Sequence, residues 1–148
     1  MIVWQSNVQD SSGLGIFAQQ FDPAFHPSGD EFQVNTFVPN HQAEPSGASL
    51  SDGTFVIVWN SYNQDSSGFG IYAQLFFENT ALKGLELPVN TEISNHQMVP
   101  VVALLQSANF VVAWKSLLQD SFGQGVYARI FTPDGTAISA EILVNTLS

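Results

Sequence analysis

Trp4, Trp59 and Trp114 stand 55 residues apart, and so do Asp10, Asp65 and Asp120 and the asparagines of three Val-Asn-Thr triplets, Asn35, Asn90 and Asn145. No insertion disturbs the interval. A fixed period of this length marks a repeat architecture, in which each unit is one supersecondary piece that buries its apolar faces on its neighbours. The stretch QDSSGFGIYAQLF at Gln64–Phe76 has counterparts in QDSSGLGIFAQQF at Gln9–Phe21 and QDSFGQGVYARIF at Gln119–Phe131. The boundaries read as a partial unit over 1–38 that lacks its first strand, a complete unit over 39–93 and a complete unit over 94–148. Together they are expected to form one β-repeat domain, a slice of a longer array.

Within a unit the pattern is β throughout. The run Thr54–Trp59, TFVIVW, is continuously β-branched and aromatic, as expected of a strand covered on both faces. Gly70–Phe76 reads as a second strand, with Ile71, Ala73 and Leu75 on one side and Tyr72, Gln74 and Phe76 on the other. Glu86–Thr91 reads as a short third strand. Pro45–Leu50 and Pro100–Leu105 read as the strand that precedes the apolar run, each opened by its proline. Ser51–Gly53 is a tight-turn signal, which the last copy replaces with Ser107-Ala108. No helical periodicity is sustained anywhere. Four short antiparallel strands in about 50 residues match one blade of a β-propeller. The expected fold is therefore all-β, tandem four-stranded antiparallel units arranged as propeller-like blades. A three-fold β-trefoil or prism is the alternative.

Composition narrows the functional classes. The chain carries 13 acidic residues against 3 Lys+Arg, a formal charge of −10. That field repels phosphate backbones and anionic lipid, so nucleic acid and membrane surfaces are not expected partners. There is no cysteine, which removes disulfides, thiolate catalysis and zinc–thiolate sites. No apolar run reaches the roughly 18 residues of a membrane span, and the opening MIVWQS does not read as a signal peptide.

The series FVIVWNS, QDSSGFGIYAQLF, LPVNT and HQ, over essentially the whole chain, resembles the tandem repeat of long secreted or surface proteins of bacteria, which often carry calcium-binding RTX nonapeptides or cadherin-like modules. The resemblance implies a secreted or cell-surface location and an adhesive or structural role without catalysis. The chain has no RTX nonapeptide of its own, and its last copy reads Ser121-Phe122-Gly123 where the others have Ser-Ser-Gly.

The recurring polar residues admit two readings each. Asp10, Asp65 and Asp120 are the candidate metal ligands, with calcium as the cofactor. Calcium wants six to eight oxygens, and each loop offers one carboxylate, unless Glu31, Glu86 and Glu141 complete a site across space. The other reading is a turn brace, the carboxylate accepting loop amides while both following glycines take positive φ. The brace is preferred. The tryptophans are either sugar-stacking platforms or core, and recurrence after an apolar run favours core. His41 and His96 in Asn-His-Gln read as an inter-unit turn rather than a zinc site. The Gly-x-Gly pairs feed strands, not helix N-termini, so they are not phosphate loops. No nucleophile–base–acid set and no marked carboxylate pair appears, and no enzyme is expected. The segments Phe21–Asp30, Phe76–Leu85 and Phe131–Ala140 differ most between copies and read as exposed, diversified loops. The expected partners are neighbouring repeats or other copies of the chain, with surface glycans or proteins as further ligands. A lectin-like carbohydrate-binding module is the alternative function.

Overall fold

The computed structural model describes residues 1–119 and 123–146. Each repeat unit becomes one antiparallel sheet. Sheet 1 holds β1 (Ile2–Asn7), β2 (Leu14–Phe21) and β3 (Pro27–Gln33) in that order. Sheet 2 holds β4 (Gln42–Ser49), β5 (Phe55–Tyr62), β6 (Phe69–Phe76) and β7 (Leu87–Pro88). Sheet 3 repeats that order with β8 (Gln97–Leu104), β9 (Phe110–Leu117), β10 (Gln124–Phe131) and β11 (Ile142–Leu143). The described residues contain no helix, and no barrel closes.

The register shows why the repeat holds. Trp59 lies opposite Tyr72 and Phe55 opposite Phe76, and Trp114 opposite Tyr127 and Phe110 opposite Phe131. The two Phe pairs stack with ring centroids 5.1 and 5.3 Å apart. Such cross-strand aromatic pairs each contribute roughly 0.2–1 kcal/mol beyond simple burial.

Alternation then sends successive side chains to opposite neighbours. Phe55, Ile57, Trp59, Tyr72 and Phe76 pack against Ile16, Ala18 and Val34 of the first unit. Val56, Val58, Ile71, Ala73 and Leu75 pack the other way, against Phe110, Val112, Trp114 and Phe131 of the last. Sheet 2 is thus buried on both faces, as its unbroken apolar run requires. Trp59 and Trp114 are buried in these two layers, whereas Trp4, with no sheet in front of it, is half-buried.

Several local expectations change. Pro45 and Pro100 do not open their strands but sit inside β4 and β8. The ladder skips from Ala43 to Ser46 and from Met98 to Val101, so each proline occupies a bulge where no ladder donor is needed. Glu44 and Val99, just before them, adopt φ of 55°. The third strand is only Leu87–Pro88 rather than Glu86–Thr91, because the Asn90 side chain takes over the bonding that the ladder would have supplied. In the first unit the corresponding strand spans Pro27–Gln33 and reaches into the segment expected to be a loop. The turn at Gly53 (φ 83°) survives its replacement by Ala108, which takes φ of 65° and donates its amide to Leu105 O as Gly53 does to Leu50 O.

The layer order makes a prediction. Trp59→Ala should cost about 3–5 kcal/mol, the usual penalty for deleting a buried aromatic. Trp4→Ala, on the uncovered flank, should cost less than half of that. Urea unfolding of the two variants compares them directly, and equal losses would contradict the stacked core.

Candidate functional site

Antiparallel order puts the β1–β2, β5–β6 and β9–β10 loops at one end of the sheets and the β4–β5 and β6–β7 turns at the other. The repeated polar residues gather at the first end. In the middle unit Asn63 donates its amide to Gly68 O at 2.6 Å, and Asp65 Oδ1 accepts from the Ser67 amide at 2.9 Å. In the first unit Val8 donates to Gly13 O at 2.7 Å, and Asp10 Oδ1 accepts from Ser12 at 3.0 Å. Leu118 donates to Gly123 O in the same way, while Asp120 lies outside the described residues. Val8, Asn63 and Leu118 all take left-handed φ of 54–61°, so the three unlike residues hold one conformation.

The glycines serve space more than conformation. A Cβ on Gly15 or Gly70 would lie 2.5 or 2.7 Å from Oδ2 of Asp10 or Asp65. One on Gly13 or Gly68 would lie 2.4 or 2.3 Å from the carbonyl oxygen of Asn40 or Asn95. The expectation that both glycines of a pair take positive φ is therefore corrected: in the middle unit Gly68 does (57°) and Gly70 does not. One glycine admits the aspartate, and the other admits the turn that enters the next unit.

That turn carries the histidines. His41 Nδ1 accepts the Leu14 amide and His96 Nδ1 the Phe69 amide, each at 3.2 Å across a unit boundary. Each imidazole thus ties the turn that enters one unit to a backbone amide of the unit before it. Beside them runs a buried relay. The Ile16 amide donates to Asn35 Oδ1 (2.7 Å), Asn35 Nδ2 donates to Gln42 Oε1 (3.2 Å), and Gln42 Nε2 donates to Pro39 O (2.8 Å). Ile71, Asn90, Gln97 and Ser94 repeat it at 2.6, 3.3 and 2.8 Å.

A carboxylate latch completes the boundary. Glu86 accepts from Gln64 Nε2 of its own unit on one oxygen. On the other it accepts from the amide (2.8 Å) and hydroxyl (2.9 Å) of Thr36 in the preceding unit. Glu141 does the same with Gln119 and with the amide and hydroxyl of Thr91. Glu31 keeps its bond to Gln9. Single-sequence reading noted these glutamates as metal candidates and missed the latch. The signal was present: Glu and the Thr of the previous unit recur at a constant separation.

Asp10 and Asp65 are thus both turn braces. Among the described residues no three His, Asp or Glu side chains converge as a metal site would need. The carboxylates also act on a neighbour. Burial, and then the nearby Asp65 and Glu86 charges, push the Tyr72 hydroxyl up to about 12.

At the opposite end the turns keep one backbone form, with the Asp22, Phe77 and Thr132 amides donating to His26, Ala81 and Thr136 O, but carry different side chains. Asp22 Oδ1 accepts from the Ala24 and His26 amides, Asn79 Oδ1 from Ala81, and Asp134 Oδ1 from Thr136. Asp52 caps Thr54 and pairs with Lys83 at 3.1 Å, and Lys83 reaches on to Pro133 O of the next unit. The Thr54 hydroxyl, followed by Lys83, lowers the Asp52 carboxyl to about 2. A shallow depression of ≈ 560 Å³ opens here, lined by Asp52, Gly53, Thr54, Phe77, Glu78 and Asn79.

No protein-family model and no curated protein matches the chain. Among solved structures it is similar to an endo-arabinase from Bacteroides thetaiotaomicron, with a TM-score of 0.56 and 11% identity, over 92% of this chain and 53% of that one. The chain thus spans about half the length of that protein, and the likeness is one of fold. It overturns the expectation that the chain is not an enzyme. That expectation rested on the lack of a nucleophile–base–acid set and of a marked carboxylate pair in the sequence. A frame similar to this one belongs to an endo-arabinase. The physical reason is that a catalytic pair drawn from separate loops leaves no local motif in a sequence.

Two outcomes follow from this geometry. Glu86→Ala should destabilise by about 1–3 kcal/mol, the range for removing charged hydrogen bonds, and Glu31→Ala by clearly less, as measured by thermal unfolding. Tyr72 is held neutral in the fold and ionises near 10.0 when unfolded. Its raised value means that its contribution is whole below pH 10 and is lost as pH rises towards 12. Tyr72→Phe should flatten that alkaline loss in a Tm-against-pH series.

Proposed function

We propose that the chain is a run of propeller-like blades from a secreted or cell-surface protein and acts as a structural and adhesive module. Its contact surface is the variable end. The observation that carries this reading is the division between the two ends. At the latch end Asp, Gly, Asn, His, Gln, Glu and Thr are occupied by bonds that repeat from unit to unit. At the other end the turns share a backbone form but change side chains between copies, and they hold large apolar groups in the open: Phe25 is 80% exposed, Leu85 88% and Phe77 46%. Exposed apolar groups on braced turns are what a contact surface needs, since burying them on a partner is favourable and little ordering remains to be done. The blade arrangement is supported by the stacking of successive sheets face to face, with β8 lying against β4, β5 and β6.

A second reading rests on the depression beside Phe77. An exposed aromatic ring next to Asp52, Glu78 and Asn79 offers a sugar both a stacking face and hydroxyl acceptors. The fold's likeness to an endo-arabinase makes arabinan the polysaccharide to try first.

Beads coated with the chain should adhere to cell surfaces, and the combined replacement of Phe25, Phe77 and Leu85 by Ser should reduce adhesion several-fold without lowering the Tm. Adhesion that survives this replacement defeats the adhesive reading. Retention on immobilised arabinan that is lost in Phe77→Ala moves the function to carbohydrate binding. Release of reducing sugars from arabinan makes it catalytic.

A further inference from the structure

We propose that the outer face of sheet 3 is a docking site for one more unit of this repeat, a four-stranded sheet entered through an Asn-His-Gln turn. The inference rests on the blade reading above and adds the partner and its code. It starts from one position seen three times. Val34 is 1% exposed and Val89 0%, each covered by the unit that follows, whereas Val144 at the same place in the last unit is 55% exposed. Val56, Val58 and Leu75 are 0% exposed beneath sheet 3, while their counterparts Val111, Ala113 and Ile130 are half-buried. Gly13 and Gly68 lie under the Asn-His turns of the following units, and nothing described lies within 4 Å of the space beside Gly123.

The polar code is set in the same way. Asn145 Oδ1 holds the Val126 amide at 2.6 Å, as Asn35 and Asn90 hold Ile16 and Ile71 before handing on to the next Gln. Thr146 repeats the position of Thr36 and Thr91, whose amide and hydroxyl go to the next unit's glutamate. The face is therefore apolar, with a glycine that nothing described crowds at one end, and with Asn145 and Thr146 at the relay and latch positions of the repeat beside it.

A second copy of this chain fits the face less well. Within the chain, the following unit makes its contacts chiefly through its first strand, β4 on β1 and β2, and β8 on β4, β5 and β6. Sheet 1 as described has three strands and no counterpart of β4 or β8. Two copies would also bring formal charges of −10 together, a repulsion that only salt relieves.

The absence of cysteine makes the test direct. Val144→Cys places a single thiol on the face, at a site exposed enough to accept it. The probe is a further copy of residues 39–93, joined after the last residue of the chain. Maleimide labelling of the thiol should slow by about tenfold or more, the protection expected when a site reacts only through local opening. A copy of the probe carrying His41→Ala and Gln42→Ala should protect less. An added unit that stays unfolded, or that folds by circular dichroism while the thiol reacts as before, overturns the proposal. So does equal protection by the two versions. Labelling that slows with concentration in the unextended chain would assign the face to a second copy instead. None of these results depends on adhesion or sugar binding, so the failure of those readings is seen separately.

Discussion

A sheet that is apolar on both faces cannot stand in water, and most of this molecule follows from that. In sheet 2, odd-numbered residues of β5 face one neighbour and even-numbered residues face the other. Each layer is filled by side chains of two units, so no unit owns a complete core. The magnitude is large enough to dominate local costs. A buried tryptophan removes about 150–250 Å² from water, worth roughly 4–6 kcal/mol at about 25 cal/mol per Å². The indole N–H groups of Trp59 and Trp114 are buried with no hydrogen-bond partner among the described residues. An unmade bond of that kind costs about 1–3 kcal/mol. Burial wins, and the ring stays inside.

Apolar packing alone does not set which way a neighbour arrives. Hydrophobic attraction is non-directional, so on its own it gives a weak preference for one arrangement of neighbouring sheets over another. The polar bonds at the latch end remove that freedom. Asn35 and Asn90 each satisfy a strand amide in their own unit and a glutamine in the next. Because Gln42 and Gln97 are fully buried, a slipped neighbour would leave amides unpaired inside the core, which is far costlier than a poor apolar fit. Glu86 and Glu141 add a charged bond across the same boundary. Hydrophobic burial thus supplies the attraction, and the relay and the latch supply the register.

The parts legible in the sequence are those that recur by chemical type. The 55-residue interval located the three units, and the strand Phe55–Tyr62 was plain from its apolar run. The interior position of Trp59 and Trp114 followed from the same pattern. What escaped is set by geometry between strands, loops and units that lie apart in the sequence. A proline in a strand reads as an edge or a start, and only the paired register reveals the bulge around Pro45 and Pro100. Gly70 reads as a turn glycine, yet it is required by the carboxylate of Asp65 lying against it. The Thr36–Glu86 bond joins residues 50 apart, beyond any local pattern. A catalytic set is likewise a matter of which loops meet in space, and a search for local motifs does not see it.

The same logic separates the two ends. At the latch end a substitution must satisfy two units at once, since Gly13 touches Asn40 and His41 while Leu14 donates to that same His41. At the variable end each turn closes on itself. Asp22, Asn79 and Asp134 brace their own backbones from within, each accepting the amide two residues on. A turn that is internally satisfied can change length and side chains without disturbing the sheet beneath it. Lys83 and Gln20 show the limit: Lys83 binds Asp52 in its own unit and Pro133 O in the next, and Gln20 Nε2 donates to Glu78 O of the following unit, so these turns are also tied to a neighbour. Diversity is therefore confined by bonding, not by exposure alone. Phe25 can stand in solvent at a left-handed φ of 62° because nothing in another unit depends on it.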